Sequence, residues 1–173
     1  MKSSLAGYRE TTDFQAAVKM AIRAKDLVGN DHRQAGAFRI KRHSHQYRIE
    51  KVAIDSVLSK LKPSKLENVK SFDDLYARVY KICSDVHGIG PLYIYDAALR
   101  IGACLNLEPK QVYLHAGSLT GAKALGIVVK RKIISVTAFP APIQKLKPHE
   151  IEDFLCIYKD KLAAFKGLYL PNR

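Results

Sequence analysis

The chain has 173 residues, with 29 Lys and Arg against 16 Asp and Glu and a formal net charge of +13 at pH 7. Its hydrophobic content of 47% suffices for a packed core, while the lack of a run of about 18 apolar residues excludes a membrane-spanning helix. The excess of positive charge favours a polyanionic partner, with nucleic acid ahead of an anionic membrane surface.

The first predicted element is a helix within TTDFQAAVKMAIRAKDLVG. Thr12 and Gln15 have the spacing of a capping box, and Gly29 is a suitable C-terminal stop.

The strongest basic patch of the sequence runs from Arg33 to Lys51, with Phe38 and Tyr47 interleaved and few acids. Its first half lacks periodicity and predicts a loop, whereas its second half continues into a helix that Pro63 ends. A solvated face or a loop without a ligand could have this composition, but the interleaved aromatics favour contact with nucleic acid. We expect phosphate contacts from four of its side chains, namely Arg39, Lys41, Arg42 and Arg48.

A helix, two glycines and a second helix follow. SFDDLYARVYKICSD predicts a helix capped by Ser71 and Asp74, and Pro91 begins the next helix, which stops near Asn106. Between them, Gly88-Ile89-Gly90 allows a turn without a Cβ penalty and leaves N–H groups uncovered at a helix N-terminus, where a phosphate is the natural ligand. The layout predicts a helix-hairpin-helix at about 71–106, with an ordinary helix–helix turn as the alternative.

The C-terminal part also favours helices. KQVYLHAGSLTGAKALG predicts a short helix, a turn at Gly117 and a second short helix. IVVKRKIISVTAF is the most strand-like segment, but without an identifiable partner strand we expect it to be extended or helical. PHEIEDFLCIYKDKLAAFKG predicts a long last helix that stops at Gly167. The expected fold is mostly α, a two-lobed helical bundle forming a single domain over 1–173.

The cysteines and histidines do not predict a metal site. Cys83, Cys104 and Cys156 lie far apart without a CxxC motif, which indicates buried free thiols in a reducing compartment and excludes a zinc ribbon. A cluster of histidines has no nearby carboxylate or cysteine to complete a ligand set, so we expect no metal and no cofactor; these are His32, His43 and His45. MKSSLAGYRETTDF has no apolar core of a signal peptide, and we expect a cytoplasmic protein.

The segment VHGIGPLYIYDAALRIG resembles the hairpin of helix-hairpin-helix DNA glycosylases and related DNA-repair proteins, over roughly Ser71 to Ala116. The resemblance implies an all-α, two-lobed protein that grips the backbone of double-stranded DNA beside a cleft for a flipped base. It also implies hydrolysis of the N-glycosidic bond of a damaged or modified base. A wider combination of segments resembles a group of bacterial proteins, which bears on cellular setting and not on chemistry; it comprises GIGPLYIYDAALRIGACL, VYLHAG, GAKAL and EIEDFLCIYKDKL.

Two positions depart from the glycosylase pattern. Family members with lyase activity carry a lysine just after the second hairpin glycine, where this chain has Leu92. The family's catalytic aspartate lies in a V-D-T-H-like stretch that QVYLHAG resembles, but Tyr113 stands where the aspartate would be. A glycosylase built on this chain would therefore work without the family's lysine and take its acid from elsewhere.

Two aspartates are candidates for that acid, because base removal requires a carboxylate that stabilises an oxocarbenium-like sugar and activates water. Asp96 shares a helix face with Tyr93, which could stack on a base, and with Arg100, which could hold a phosphate. A surface i,i+4 ion pair is the alternative for Asp96 and Arg100. Asp153 opens the last helix, where favourable placement of an acid at a helix N-terminus is the alternative.

Further DNA contacts are expected around the hairpin and beyond it. Ile89 would anchor the turn in the core, and the other candidates are His87, Gly88, Gly90, His115 and Lys123. A structural role is the alternative for both histidines, and Gly117 with Gly121 could flank a second phosphate-binding nest. The sequence thus predicts a DNA glycosylase that flips and excises a base, with a non-catalytic helix-hairpin-helix DNA-binding module as the alternative and RNA binding as a third possibility.

Overall fold

The computed structural model describes residues 5–23, 25–28, 39–42 and 49–166 of the chain and is mostly helical, as expected. It divides into two compact units, Met1–Glu108 and Pro109–Arg173. Wherever the structure describes the chain, no helix combines the length and the apolar character that a bilayer crossing requires.

The first unit contains five helices and two strands within the described ranges, in the order α1 (Ala6–Glu10), α2 (Phe14–Ile22), β1 (Lys25–Val28), β2 (Arg39–Arg42), α3 (Lys51–Lys60), α4 (Phe72–Cys83) and α5 (Pro91–Cys104). A 3₁₀ turn at Pro63–Leu66 connects α3 to α4.

Helix α5 is the centre of the first unit. It packs against α1, α2 and α4, and it is buried on nearly every side rather than along one stripe. Ile94, Ala98 and Ile101 are fully buried in it. Its end is the predicted one: Asn106 takes a left-handed conformation with φ 55°, and the N–H of Leu107 donates to the carbonyl of Gly102 at 2.8 Å, as in a helix C-cap.

The start of α4 also agrees with the sequence, because Ser71 Oγ accepts from the N–H of Asp74 at 3.1 Å. The start of α2 does not. Asp13 is the N-cap, and its carboxylate accepts from the N–H of Ala16 at 2.9 Å. Aspartate is among the best N-cap residues, so it takes the position that Thr12 was expected to hold.

The helix predicted to reach Gly29 ends at Ile22 instead. Lys25–Val28 forms β1 and pairs antiparallel with Arg39–Arg42, so that Lys25 lies opposite Arg42. Main-chain pairing with a distant segment, which local periodicity does not reveal, overrides the helical pattern here. Gly29 itself lies outside the described residues.

The second unit contains β3 (Val112–Tyr113), α6 (Ala116–Ala124), β4 (Ile133–Ile134) and α7 (Pro148–Tyr158). Up to residue 166, where the described part of this unit ends, three 3₁₀ turns complete it, at Val136–Ala138, Ile143–Lys145 and Leu162–Phe165.

The strand-like segment before Ser135 has a partner strand, which the sequence did not identify. Ile133–Ile134 pairs antiparallel with Val112–Tyr113, and the N–H of Leu114 donates to the carbonyl of Lys132. The segment expected to begin with a short helix therefore begins with β3. The β-branched residues on both sides of the pair are typical of strands.

Helices α6 and α7 form the main packing of the second unit, together with an apolar core that includes Val112, Ala122, Ile151 and Leu155. Gly117 is not a turn but part of α6. A Cβ built on Gly117 would lie 2.5 Å from Cys156 Sγ, and one built on Gly121 would overlap the carbonyl of Leu155. The two glycines, one helical turn apart, let α6 approach α7 closely.

The last helix is shorter than predicted, since α7 ends at Tyr158. A turn closed by the N–H of Lys161 donating to the carbonyl of Tyr158 directs the chain into the 3₁₀ segment, where Leu162 is buried in the core of this unit. The burial of Leu162 thus accounts for the end of α7 before the predicted stop.

Candidate nucleic-acid interface

The connection between α4 and α5 carries the glycines. Gly88 is exposed and has a φ of +80°, a conformation that side chains with a Cβ rarely adopt. Ile89 is only 9% exposed, and its N–H donates to the carbonyl of Val86 at 3.1 Å. The buried Ile89 thus anchors a turn whose two glycines stay at the surface, as expected.

Gly90 is the N-cap residue of α5 and is exposed. Its φ is −99°, and a Cβ built on it would meet nothing within 4 Å. Neither the local backbone nor packing therefore requires glycine at this position. The first turn of α5, which Pro91 begins, lies at the positive end of the helix dipole.

A cavity of about 290 Å³ lies beside this turn, within the first unit. One side comes from the start of α3 and the other from the turn; its described lining residues are Glu50, Val52, Ala53, Ser56, Val86, His87 and Gly88. Glu50 supplies a carboxylate and His87 an imidazole. In the sequence, Glu50 is one of the few acids of the basic stretch, and its position just before a helix does not show that the helix starts beside Gly88.

An ion pair joins α3 to the turn. Lys60 Nζ lies 2.8 Å from Asp85 Oδ2, where Lys60 is half-buried and Asp85 is exposed. The hydrogen bond from Lys60 lowers the pKa of Asp85. The cation of Lys60 is therefore engaged locally, although both groups remain open to solvent.

Asp96, one of the two predicted catalytic carboxylates, is not among the described residues that line this cavity. Asp96 lies on α5 in the first unit and is half-buried, whereas Asp153 lies on α7 in the second unit and is exposed.

Tyr93 and Arg100 do not form the exposed face that was predicted for them. Tyr93 is 3% exposed and donates its hydroxyl hydrogen bond to the carbonyl of Ile22, and Arg100 is 4% exposed. Stacking of Tyr93 on a base and a surface ion pair of Arg100 are both wrong for this conformation, because the helices around α5 cover the face that carries these side chains.

The basic patch is only partly within the described residues. Arg39, Lys41 and Arg42 belong to β2, where Lys41 lies opposite Asp26 in the register. Arg48 lies outside the described residues, as do Phe38, Tyr47 and the histidines at 32, 43 and 45. Among the described residues, no group of three or more His, Cys, Asp or Glu side chains could hold a metal ion.

His115 takes a structural position at the start of α6. Its Nδ1 lies 3.2 Å from Glu152 Oε1, and the same oxygen accepts from Ser118 Oγ at 2.7 Å. The main-chain N–H of His115 in turn donates to Ser118 Oγ at 2.8 Å. Glu152 is only 6% exposed. The network ties the first turn of α6 to α7, so His115 is engaged within the fold and not free for DNA.

The expected phosphate nest at Gly117 and Gly121 is also wrong, because both glycines face α7. Lys123, further along α6, is exposed as a DNA contact would need.

The three cysteines are free thiols; Cys83 is buried, as predicted, whereas Cys104 and Cys156 are half-buried. Burial raises the pKa of Cys83 to about 11, and it also raises the pKa of Cys104 and of Cys156. Because the thiolate is the reactive form, none of the three has the character of a catalytic nucleophile near neutral pH.

Comparison of the chain with protein-family models, with curated proteins and with solved structures finds no match. The glycosylase resemblance therefore rests on the residues of the hairpin segment alone, and the helix-hairpin-helix stays a prediction. Function has to be inferred from the geometry described above: an exposed glycine turn, a cavity beside it and a strongly basic chain.

Proposed function

We propose that this protein binds double-stranded DNA and holds the sugar-phosphate backbone at the turn formed by Gly88, Ile89 and Gly90. The observation that carries the proposal is Gly90, which is exposed at the N-terminus of α5 although neither its φ nor any neighbouring atom requires glycine. A glycine that the fold does not need is explained by a ligand that approaches the main chain closely.

The surroundings of the turn suit an anionic ligand. The positive end of the α5 helix dipole favours a phosphate oxygen. The buried side chain of Ile89 holds the turn in place, so binding costs little conformational entropy of the backbone. The net charge of +13 supplies the long-range attraction to a polyanion.

The geometry favours binding without catalysis. A glycosylase needs a carboxylate that faces the base it removes, and Asp96, one of the two aspartates expected in that role, is not among the described residues that line the cavity beside the turn. A DNA-binding module that positions a partner or marks a DNA structure needs only the turn and the charge.

A DNA glycosylase is the second candidate, and the cavity favours it. A flipped base would enter the space beside Gly88, where Glu50 could activate a water and His87 could hydrogen-bond the base. The test incubates the protein with duplexes carrying chemically distinct modified bases and measures alkali-labile abasic sites. Glu50→Gln should abolish that signal and leave DNA binding intact; a protein that binds DNA but forms no abasic sites on any substrate is the non-catalytic module.

The binding proposal is tested with a matched pair of substitutions at Gly90. Aspartate and asparagine are both good N-cap residues and have nearly the same shape, so both variants should fold at least as well as the unaltered chain. Only aspartate adds a negative charge at the proposed phosphate position. Fluorescence anisotropy with a labelled duplex at about 100 mM salt should show Gly90→Asp binding about tenfold more weakly than Gly90→Asn, a difference of about 1.4 kcal/mol.

Equal affinities of the two folded variants would contradict the proposal. Circular dichroism and thermal unfolding of each variant establish that a loss of binding is not a loss of structure.

A further inference from the structure

The second unit has a basic surface that the proposed hairpin site does not involve. Between Lys123 and Lys147 the sequence contains no Asp or Glu. All six of its Lys and Arg side chains are exposed, namely Lys123, Lys130, Arg131, Lys132, Lys145 and Lys147.

Three of these cations are consecutive. Lys130, Arg131 and Lys132 lie between α6 and β4, and the main-chain carbonyl of Lys132 accepts a hydrogen bond from the N–H of Leu114. The pairing of β3 with β4 therefore fixes one end of this basic loop to the core of the unit. A loop held in this way presents its charges at lower cost in conformational entropy than a free tail would.

The acids of the second unit belong to a different segment. They begin at Glu150, whose Oε2 accepts from the N–H of Lys147, and continue through Glu152, which is buried against His115 and Ser118. Asp160 lies 3.7 Å from Lys159. Positive charge thus faces solvent on one stretch of this unit, while the carboxylates occur on α7 and after it.

We propose that the loop Lys130–Lys132 binds the phosphate backbone of nucleic acid, independently of the glycine turn in the first unit. Three adjacent exposed cations match the closely spaced charges of a duplex, and their binding would release counterions. The contact would carry no sequence information, because it reaches phosphates and not base edges.

The same charges could attract an anionic membrane, but the apolar residues beside them do not favour one. In the continuously described stretch from 49 to 166, the large apolar side chains exposed next to this loop are Val128 and Ile133. Binding in a bilayer interface typically uses Trp, Phe or Leu on a long amphipathic face, and this loop is neither helical nor aromatic.

The test replaces Lys130, Arg131 and Lys132 by Gln in the full chain and measures duplex affinity from about 50 to 200 mM salt. The control replaces three other lysines of the same unit, namely Lys159, Lys161 and Lys166; the first of them lies 3.7 Å from Asp160 Oδ2. Each variant loses three charges. A plot of log affinity against log salt should become shallower by about 2 to 3 units for the loop variant, since each phosphate contact contributes about 0.9, and by less than about 1 unit for the control.

Equal slopes for the loop variant and the control would overturn the inference, because net charge alone would then explain the effect. Loss of binding to phosphatidylserine vesicles by the loop variant, with an unchanged DNA slope, would overturn it in favour of a membrane. The outcome is separable from that of the hairpin proposal: if the turn does not bind DNA, Gly90→Asp and Gly90→Asn bind equally, while the loop variant still shows the shallower slope.

Discussion

Two pairs of glycines in this chain occur in different structural environments. Gly88 and Gly90 lie at the surface between α4 and α5, whereas Gly117 and Gly121 lie within α6 against α7. A Cβ on Gly90 would meet open space, but one on Gly121 would overlap the main chain of Leu155. Glycine therefore serves close helix packing in the second pair, and in the first pair it leaves the main chain accessible.

The difference shows how a glycine motif should be interpreted. From the sequence alone, both pairs are candidate phosphate-binding nests. The spacing of the glycines does not show which atoms occupy the space that a side chain would fill. The space around an added Cβ separates the two cases: atoms of the fold occupy it at Gly121, whereas nothing lies within 4 Å of it at Gly90.

The largest effect on stability is expected for Gly121→Ala. In an ordinary helix interior this change stabilises by about 1 kcal/mol, but here the methyl group would push α6 away from Leu155 and should cost about 3 kcal/mol of unfolding free energy. Chemical denaturation followed by circular dichroism measures the cost. Gly90→Ala is the matched control, and its loss should be about 1 kcal/mol because alanine is a poorer N-cap than glycine.

A smaller effect is expected for the buried network beside the packed glycines. Glu152→Ala leaves Ser118 Oγ and His115 Nδ1 without their shared acceptor, which should cost about 2 kcal/mol. Glu152→Gln keeps an acceptor oxygen and should cost about half as much. If the alanine variant unfolds at the same denaturant concentration as the unaltered chain, the network does not hold α6 to α7.

The parts of the fold that the sequence predicted are those with local causes. The cap at Ser71, Pro91 at the start of α5 and the stop at Asn106 depend on neighbours within one turn of helix. The mostly helical character follows from apolar spacing in the same way.

The parts that it missed depend on partners distant in sequence. The pairing of Lys25–Val28 with Arg39–Arg42 replaced the end of a predicted helix, and the pairing of Val112–Tyr113 with Ile133–Ile134 replaced the start of another. At the candidate site, the sequence indicated His87, Gly88 and Gly90, but it could not show that Tyr93 is buried or that Glu50 lies beside the turn. Those positions depend on which elements pack against α5 and on where α3 begins.

The most direct test follows the main-chain amides of all four glycines by NMR while a short DNA duplex is added to the ¹⁵N-labelled chain. Contact of phosphate with the turn predicts that the Gly88 and Gly90 resonances shift early in the titration, while those of Gly117 and Gly121, packed against α7, stay in place. A duplex that binds and shifts other residues, with Gly88 and Gly90 unmoved, would contradict the proposal that this turn holds the DNA backbone.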